Sequence, residues 1–211
     1  MQLCEFKLFE RCKSSTVKWL CSRADCANFS AGDQVLAAGV SNQSVGFLTE
    51  GRLCVRSTSG VTMRHLSAGC VFGVGGADCG ASLSTVTADQ QSTVAFIPLD
   101  DIMQAMADDS VLAANYVAFL SGRIKLLNSL IAAYSGQSVE RKTASFLLAF
   151  YCDADSEQPS LVELSNMLGV GRASLYRVLD SLEERGAINR HRNHIDVTDK
   201  NVLISIIEKG I

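Results

Sequence analysis

Only two prolines occur in 211 residues, and no tract is of low complexity, which argues against disordered linkers. No uninterrupted apolar run reaches membrane-spanning length, so no span is expected. The first residues, MQLCEFKLFERCK, scatter charge through what would need to be an apolar core, so no signal peptide is read there. These two absences predict a cytoplasmic protein whose 8 cysteines are mostly reduced. Close cysteine pairs are missing: Cys4, Cys12, Cys21 and Cys26 are too widely spaced for a zinc knuckle, and Cys54, Cys70, Cys79 and Cys152 are dispersed. There are 3 histidines, which leaves little imidazole for a metal centre. No lysine or arginine occurs from His65 to Gly122. Burying a phosphate in such a stretch would lack a cation to offset its desolvation.

What is present falls into three parts. Residues 27 to 98 alternate short β-rich runs with glycine punctuation: 34–38, 45–48, 52–57, 61–66, 70–74, 82–87 and 93–98. Glu50-Gly51 stands where a hairpin turn would. Six or seven strands at this spacing predict a small barrel or roll. A long helix follows, with Asp108, Asp109 and Ser110 supplying cap and first-turn acids. In it Ala113, Val117, Leu120, Ile124, Leu127, Ile131 and Tyr134 recur at intervals of four and three, an a/d seam over three heptads. A helix packed on its own domain shows a wider, less regular stripe. The seam therefore predicts pairing with a second copy through Val117, Leu120, Ile124, Leu127, Ile131 and Tyr134.

The third part is the most informative. A helix over 138–152 and a polar loop lead into LVELSNMLGVGRASLYRVLDSLEERGAINRHRNHIDV, residues 161 to 197. Two short helices flank Gly169-Val170-Gly171, a three-residue turn of helix-turn-helix length. The second helix exposes Arg172, Ser174, Tyr176 and Arg177 opposite its apolar face. Arginine forks near a helix N-terminus suit guanine edges and phosphates in a major groove. Residues 187–190 and 194–197 form a wing around Arg192-Asn193, bringing Arg190, His191 and Arg192 within reach of phosphates. A helix over 201–209 closes the chain. Net charge is −3, and from residue 138 onward nine Lys and Arg face eleven Asp and Glu. An operator reader needs a local basic face and tolerates an acidic remainder.

The order of β-roll, long helix and winged helix-turn-helix resembles the Crp/Fnr family of bacterial transcription regulators. In the first half the resemblance rests on Phe29-Ser30-Ala31-Gly32-Asp33, Leu48-Thr49-Glu50-Gly51-Arg52-Leu53 and Leu66-Ser67-Ala68-Gly69-Cys70-Val71-Phe72-Gly73. In the second it rests on Leu168 to Arg177 and Leu182 to Ile188. It implies an α+β fold with a cyclic-nucleotide-binding-like β-roll over 1–107, a dimerisation helix over 108–136 and a winged helix-turn-helix domain over 137–211. It also implies a homodimer on double-stranded DNA, with RNA polymerase as a further partner, and Arg172, Ser174 and Arg177 facing the bases.

Two departures stand in the recognition helix. A serine is common in the family where Gly171 stands, and some members carry a glutamate where Ala173 stands. The sensor departs further. Members that bind cyclic nucleotides follow Phe-Gly with a glutamate and, some ten residues later, an arginine-serine pair. Here Val74 follows Phe72-Gly73, and no arginine or lysine follows before Arg123. The expectation is a small uncharged effector near Phe72, Gly73, Val74 and Leu83, or no effector.

Other readings stay open. Oxygen-sensing relatives hold an iron–sulfur cluster through N-terminal cysteines, which makes Cys4, Cys12, Cys21 and Cys26 secondary metal candidates, with thiol redox sensing beside them. His65, in a strand, could ligate haem, but a hydrogen bond satisfies such a histidine as well. No cofactor is expected. A protein-interaction module that kept the helix pair for packing is a further alternative. No motif aligns Cys and His for catalysis, so no enzyme is expected.

Overall fold

One strand explains the architecture of the first half. In β3 (Ser44–Glu50) the residues Val45, Gly46, Phe47 and Leu48 are all buried, so both faces of the strand are covered. Val45 and Phe47 point to one apolar cluster and Leu48 to another. The computed structural model describes residues 2–58, 60, 62–74, 80–134, 138–151, 158–191 and 194–208, with the backbone alone at 126, 129, 130, 132–134, 150 and 151.

The strands of the roll are β1 (Asp25–Phe29), β2 (Gln34–Leu36), β3, β4 (Arg52–Arg56), β5 (Thr62–Ser67), β6 (Val71–Phe72), β7 (Thr85–Ala88) and β8 (Ser92–Pro98). They form two antiparallel four-stranded sheets, ordered β1-β8-β3-β6 and β2-β7-β4-β5. Leu48, Phe72 and Val94 of the first sheet meet Leu53, Val55, Leu66, Val86 and Ala88 of the second between the sheets. The strand expected over 82–87 runs instead from Thr85. Ser82 is buried in the preceding segment, where its hydroxyl donates to the Ser84 carbonyl over 2.7 Å.

The other face of the first sheet is covered by elements the periodicity did not reveal. Two short 3-10 turns (Leu3–Glu5 and Lys7–Phe9) and helix α1 (Ser14–Arg23) open the chain, and helix α2 (Leu99–Asp108) follows β8. Phe6 and Phe9 both pack on the Phe47 ring, at centroid distances of 5.2 and 5.4 Å. Val17, Leu20, Ile102 and Ala105 complete this cluster.

Helix α3 (Ser110–Tyr134) begins one residue after the buried Asp109. Oδ1 of Asp109 accepts from the Val111 amide at 3.1 Å, and Oδ2 accepts from the Lys13 amide at 2.7 Å. One carboxylate thus caps α3 and ties down the N-terminal segment. Asn115 adds to the tie, donating to the carbonyls of Leu8 and Glu10 at 3.0 and 2.8 Å. Leu112 and Tyr116 bury their side chains against the roll cluster, joined by Phe119. Val117, Leu120, Ile124, Leu127 and Ile131 are exposed in the single chain.

The chain divides into two compact units, one up to Phe119 and one from Leu120 onward, so the division falls within α3. The second unit holds α4 (Val139–Tyr151), α5 (Leu161–Met167), α6 (Arg172–Glu184), the hairpin β9 (Ile188–His191) and β10 (His194–Val197), and α7 (Lys200–Glu208). Its core gathers Phe146, Leu147, Leu164, Leu168, Leu175, Leu179, Leu182, Ile188, Ile195 and Leu203. No helix of the described residues is long and apolar enough to cross a membrane.

The β3–β4 turn yields a stability prediction. Gly51 has φ +91°, and a Cβ there would overlap the Ser92 hydroxyl and the Gln91 carbonyl. That hydroxyl accepts from the Arg52 amide at 3.1 Å. Gly51→Ala combines a left-handed backbone with a clash against main chain, and the overlap alone should cost about 1–3 kcal/mol. Urea unfolding of the two proteins measures the difference.

Candidate nucleic-acid interface

Helix α5 starts at a capping box. Ser160 Oγ accepts from the Glu163 amide at 3.3 Å, and Glu163 Oε2 accepts from the Ser160 amide at 2.8 Å. This Ser-x-x-Glu box ahead of an apolar run sets the start of α5. The turn out of α5 needs a left-handed residue, and Gly169 supplies it at φ +61°. The Val170 amide donates to the Ser165 carbonyl at 3.0 Å, closing the turn.

Helix α6 then buries Leu175, Leu179 and Leu182. With that face fixed, Arg172, Ala173, Tyr176, Arg177 and Asp180 are exposed and Ser174 is partly so. Arg172 and Tyr176 lie one turn apart on the exposed face, as do Ala173 and Arg177. Arg177 Nε donates to the Ala173 carbonyl at 3.3 Å, folding that side chain along the helix. Gly171 is the N-cap and offers no side-chain acceptor. The first-turn amides and the positive end of the helix dipole therefore sit beside the Arg172 guanidinium, a setting that favours a phosphate.

The wing residues divide. His191 and His194 are exposed on either side of Asp196, with Nε2–carboxylate distances of 3.7 and 2.9 Å. Arg192 lies outside the described residues. Arg190, expected among the DNA contacts, is turned onto its own domain. Its Nε and Nη2 reach Glu183 Oε2 at 2.9 and 2.7 Å, and Nη2 also reaches Asp180 Oδ1 at 2.6 Å. The Arg190 amide donates to Glu183 Oε1 at 2.9 Å. The side-chain bond from Arg190 holds the Glu183 carboxyl below its ordinary range, aided by that amide. The same bond raises the Arg190 guanidinium further. Arg190 thus fastens the wing to the end of α6 and pairs with two of its acids.

Gln158 is a positioning residue that no sequence signal marked. Its side-chain amide donates to the Ile195 carbonyl at 2.8 Å and accepts from the Ile195 amide at 2.7 Å, pairing with β10 as a neighbouring strand would.

In the first unit the effector candidates are spread over different environments. Phe72 is buried in the inter-sheet core, edge-on to Phe96 at 6.3 Å. Gly73 accepts from Asn42 at 3.4 Å, Val74 packs on the helix-side cluster, and Leu83 is 67% exposed. Of the N-terminal cysteines, Cys4 and Cys26 are exposed. Burial pushes the thiols of Cys12 and Cys21 up, away from the thiolate form.

Two family models match the chain. Cyclic nucleotide-binding domain covers residues 26–109, and Crp-like helix-turn-helix domain covers 141–206. The chain belongs to the Crp/Fnr family. It is a DNA-binding transcription regulator with a sensor domain. No curated protein matches the sequence. Among solved structures, the Crp/Fnr fold is shared with the catabolite activator protein of Thermus thermophilus, at 20% identity over 96% of this chain and 99% of that one, TM-score 0.56. A CooA variant from Carboxydothermus hydrogenoformans gives 18% identity over 88% of each chain, TM-score 0.61. FixK2 from Bradyrhizobium japonicum gives 16% over 86% of this chain and 96% of that one, TM-score 0.58. At these identities the likeness is one of fold.

The Arg190 clasp makes a signed pH prediction. Because the Glu183 pKa is lowered on folding, its contribution is complete above the unfolded value of about 4.3 and is lost as pH falls through the folded value. Glu183→Gln should therefore be less stable than the parent at neutral pH, with the gap narrowing as pH falls below the unfolded carboxyl value, as read by chemical unfolding at each pH.

Proposed function

We propose that this Crp/Fnr regulator acts as a homodimer that reads a pseudo-palindromic operator through Arg172, Ser174 and Arg177, with Tyr176 and His191 lending phosphate contacts. The observation that carries the dimer is the row of Val117, Leu120, Ile124, Leu127 and Ile131, exposed at 63, 36, 58, 49 and 66% along one heptad seam. Each such side chain is worth about 1.5–3 kcal/mol when fully buried, so an unpaired seam of five would be costly. A second copy of the same helix buries it by two-fold symmetry. Two-fold symmetry then places the half-sites about one helical turn apart. The side chain of Tyr134, the last seam residue expected, lies outside the described set.

The domain bounds we propose are 1–107 for the sensor, 108–136 for the dimer helix and 137–211 for the DNA-binding domain. The effector is a small uncharged molecule, or regulation proceeds without one. Between His65 and Gly122 no cation is available to a cyclic phosphate. RNA polymerase is the further partner that a transcription regulator would engage.

Arg172→Ala and Arg177→Ala should each weaken operator binding by about 1–3 kcal/mol per half-site while leaving thermal unfolding unchanged. Binding to duplexes selected from a random pool measures this, and unaltered affinity in both variants overturns the assignment. Ile124→Glu places a charge in the seam and should convert the dimer to monomer in sedimentation, with loss of binding to a two-half-site duplex. A variant that sediments as the parent does would remove the dimer from the proposal.

A further inference from the structure

The register of the second sheet collects three metal-ligating side chains that lie far apart in sequence. Cys54 on β4 is the cross-strand partner of His65 on β5 and of Thr87 on β7. Directly opposed residues share a face of the sheet. Asp89 stands two residues beyond Thr87, and its amide donates to the Arg52 carbonyl at 2.9 Å. The intervening residues Leu53, Leu66, Val86 and Ala88 fill the inter-sheet core. Cys54, His65 and Asp89 therefore converge on the opposite face. One ligand atom from each lies within 4.8 Å of the other two.

The surroundings are more organised than a chance grouping on an outer face. Cys54 is only 1% exposed although its face points away from the core. A bulge in the β4–β5 pairing places Thr62 opposite Arg56, so Thr62 and His65 flank the thiol, with Thr62 Oγ1 3.8 Å from Sγ. A hydrogen bond of 2.7 Å ties His65 Nδ1 to Asp89 Oδ2. Arg52 Nε lies 3.7 Å from the same oxygen. The bond to Asp89 answers what the strand histidine does in isolation. It leaves unexplained why a buried thiol stands beside that pair.

We propose that Cys54, His65 and Asp89 form a zinc(II) site. The Cys54 thiolate, a His65 ring nitrogen and an Asp89 carboxylate oxygen are the protein ligands, and water completes the tetrahedron. The set of one sulfur, one nitrogen and one oxygen suits a borderline cation and disfavours calcium and magnesium, which take oxygen ligands. Ligand atoms within 4.8 Å need only small side-chain shifts, the longer separations closing by about one ångström and the His65–Asp89 hydrogen bond opening, to meet an ion with bonds of about 2.0–2.3 Å. On binding, the Cys54 thiol proton passes to solvent, and neutral His65 keeps its single ring proton on the nitrogen that the ion does not take. A dication with one thiolate and one carboxylate has no net charge, so Arg52 then faces a neutral centre. The ligands stand on paired strands, which fixes their spacing better than a loop would. This site is separate from the N-terminal cysteines, and nothing in it depends on the DNA-binding reading.

Cobalt(II) titration of the full chain under reducing conditions tests the assignment, because a thiolate ligand gives a sulfur-to-cobalt charge-transfer band. The expected result is one cobalt per chain with that band, bleached by added zinc. Cys54→Ser should abolish the band, and His65→Gln and Asp89→Asn should each weaken cobalt binding by about 10–100-fold. The variant with serine at Cys4, Cys12, Cys21 and Cys26 together should keep the band in full. The last two single variants touch side chains outside the core, so the test survives if Cys54→Ser fails to fold. Wild-type protein without the band, a band that persists in Cys54→Ser, or one that disappears with the four N-terminal cysteines overturns the proposal.

Discussion

A helix with two apolar faces has two surfaces to bury, and α3 is such a helix. Its first turns bury Leu112 and Tyr116 against the roll, while the seam from Val117 to Ile131 faces outward. The first face is held in place by Asp109, which caps α3 with one carboxylate oxygen and fixes the N-terminal segment with the other. Because that junction is buried and hydrogen-bonded, the start of the helix cannot rotate to hide the second face without breaking the first. The orientation of the first turns of α3 is thus set by the sensor's own packing.

The first sheet imposes a comparable constraint on the sensor. With apolar layers on both sides, the stretch Val45–Leu48 of β3 tolerates neither a polar residue nor a slip in register, since a one-residue slip would exchange the two clusters it serves. The second sheet has one apolar face only, and its outer face is open to chemistry. Cys54, His65, Thr87 and Asp89 occupy that face because Leu53, Leu66, Val86 and Ala88 must occupy the other. The register demanded by the core is what brings a thiol, an imidazole and a carboxylate together.

Periodicity revealed the elements whose signal is local. The β-runs, the α3 seam and the pair α5 and α6 stood out because each repeats its own spacing. Helix α2 was hidden between β8 and α3. Its first-turn acids, Asp100 and Asp101, follow Pro98, yet the acids at Asp108 and Asp109 read as the beginning of a single long helix. Asp109 is indeed a cap, but of a second helix that starts where the first one stops. Site chemistry was less legible, for a physical reason. The proposed recognition residues follow from helix phase alone, whereas the fate of Arg190 depends on its distance from Glu183 across a turn. Likewise, Cys54 and Asp89 are 35 positions apart and meet only through strand pairing. Side chains joined by tertiary register leave no spacing to read.

An acidic domain that binds DNA is not a contradiction once the length scale of the field is considered. At physiological ionic strength, charges more than about 8 Å apart are largely screened, so a phosphate responds to its neighbours rather than to the net charge. In the second unit four of the described acids lie beside bases, away from the start of α6. Arg190 takes Asp180 and Glu183, Arg185 takes Glu140 at 2.6 Å, and Asp196 lies between two histidines. Near the N-terminus of α6 the exposed groups are Arg172, Arg177 and the first-turn amides. The excess of acid therefore depresses long-range, non-specific attraction while leaving the local positive site intact. On the reading proposed above, affinity relies on contacts made at short range by the two arginines and the helix end.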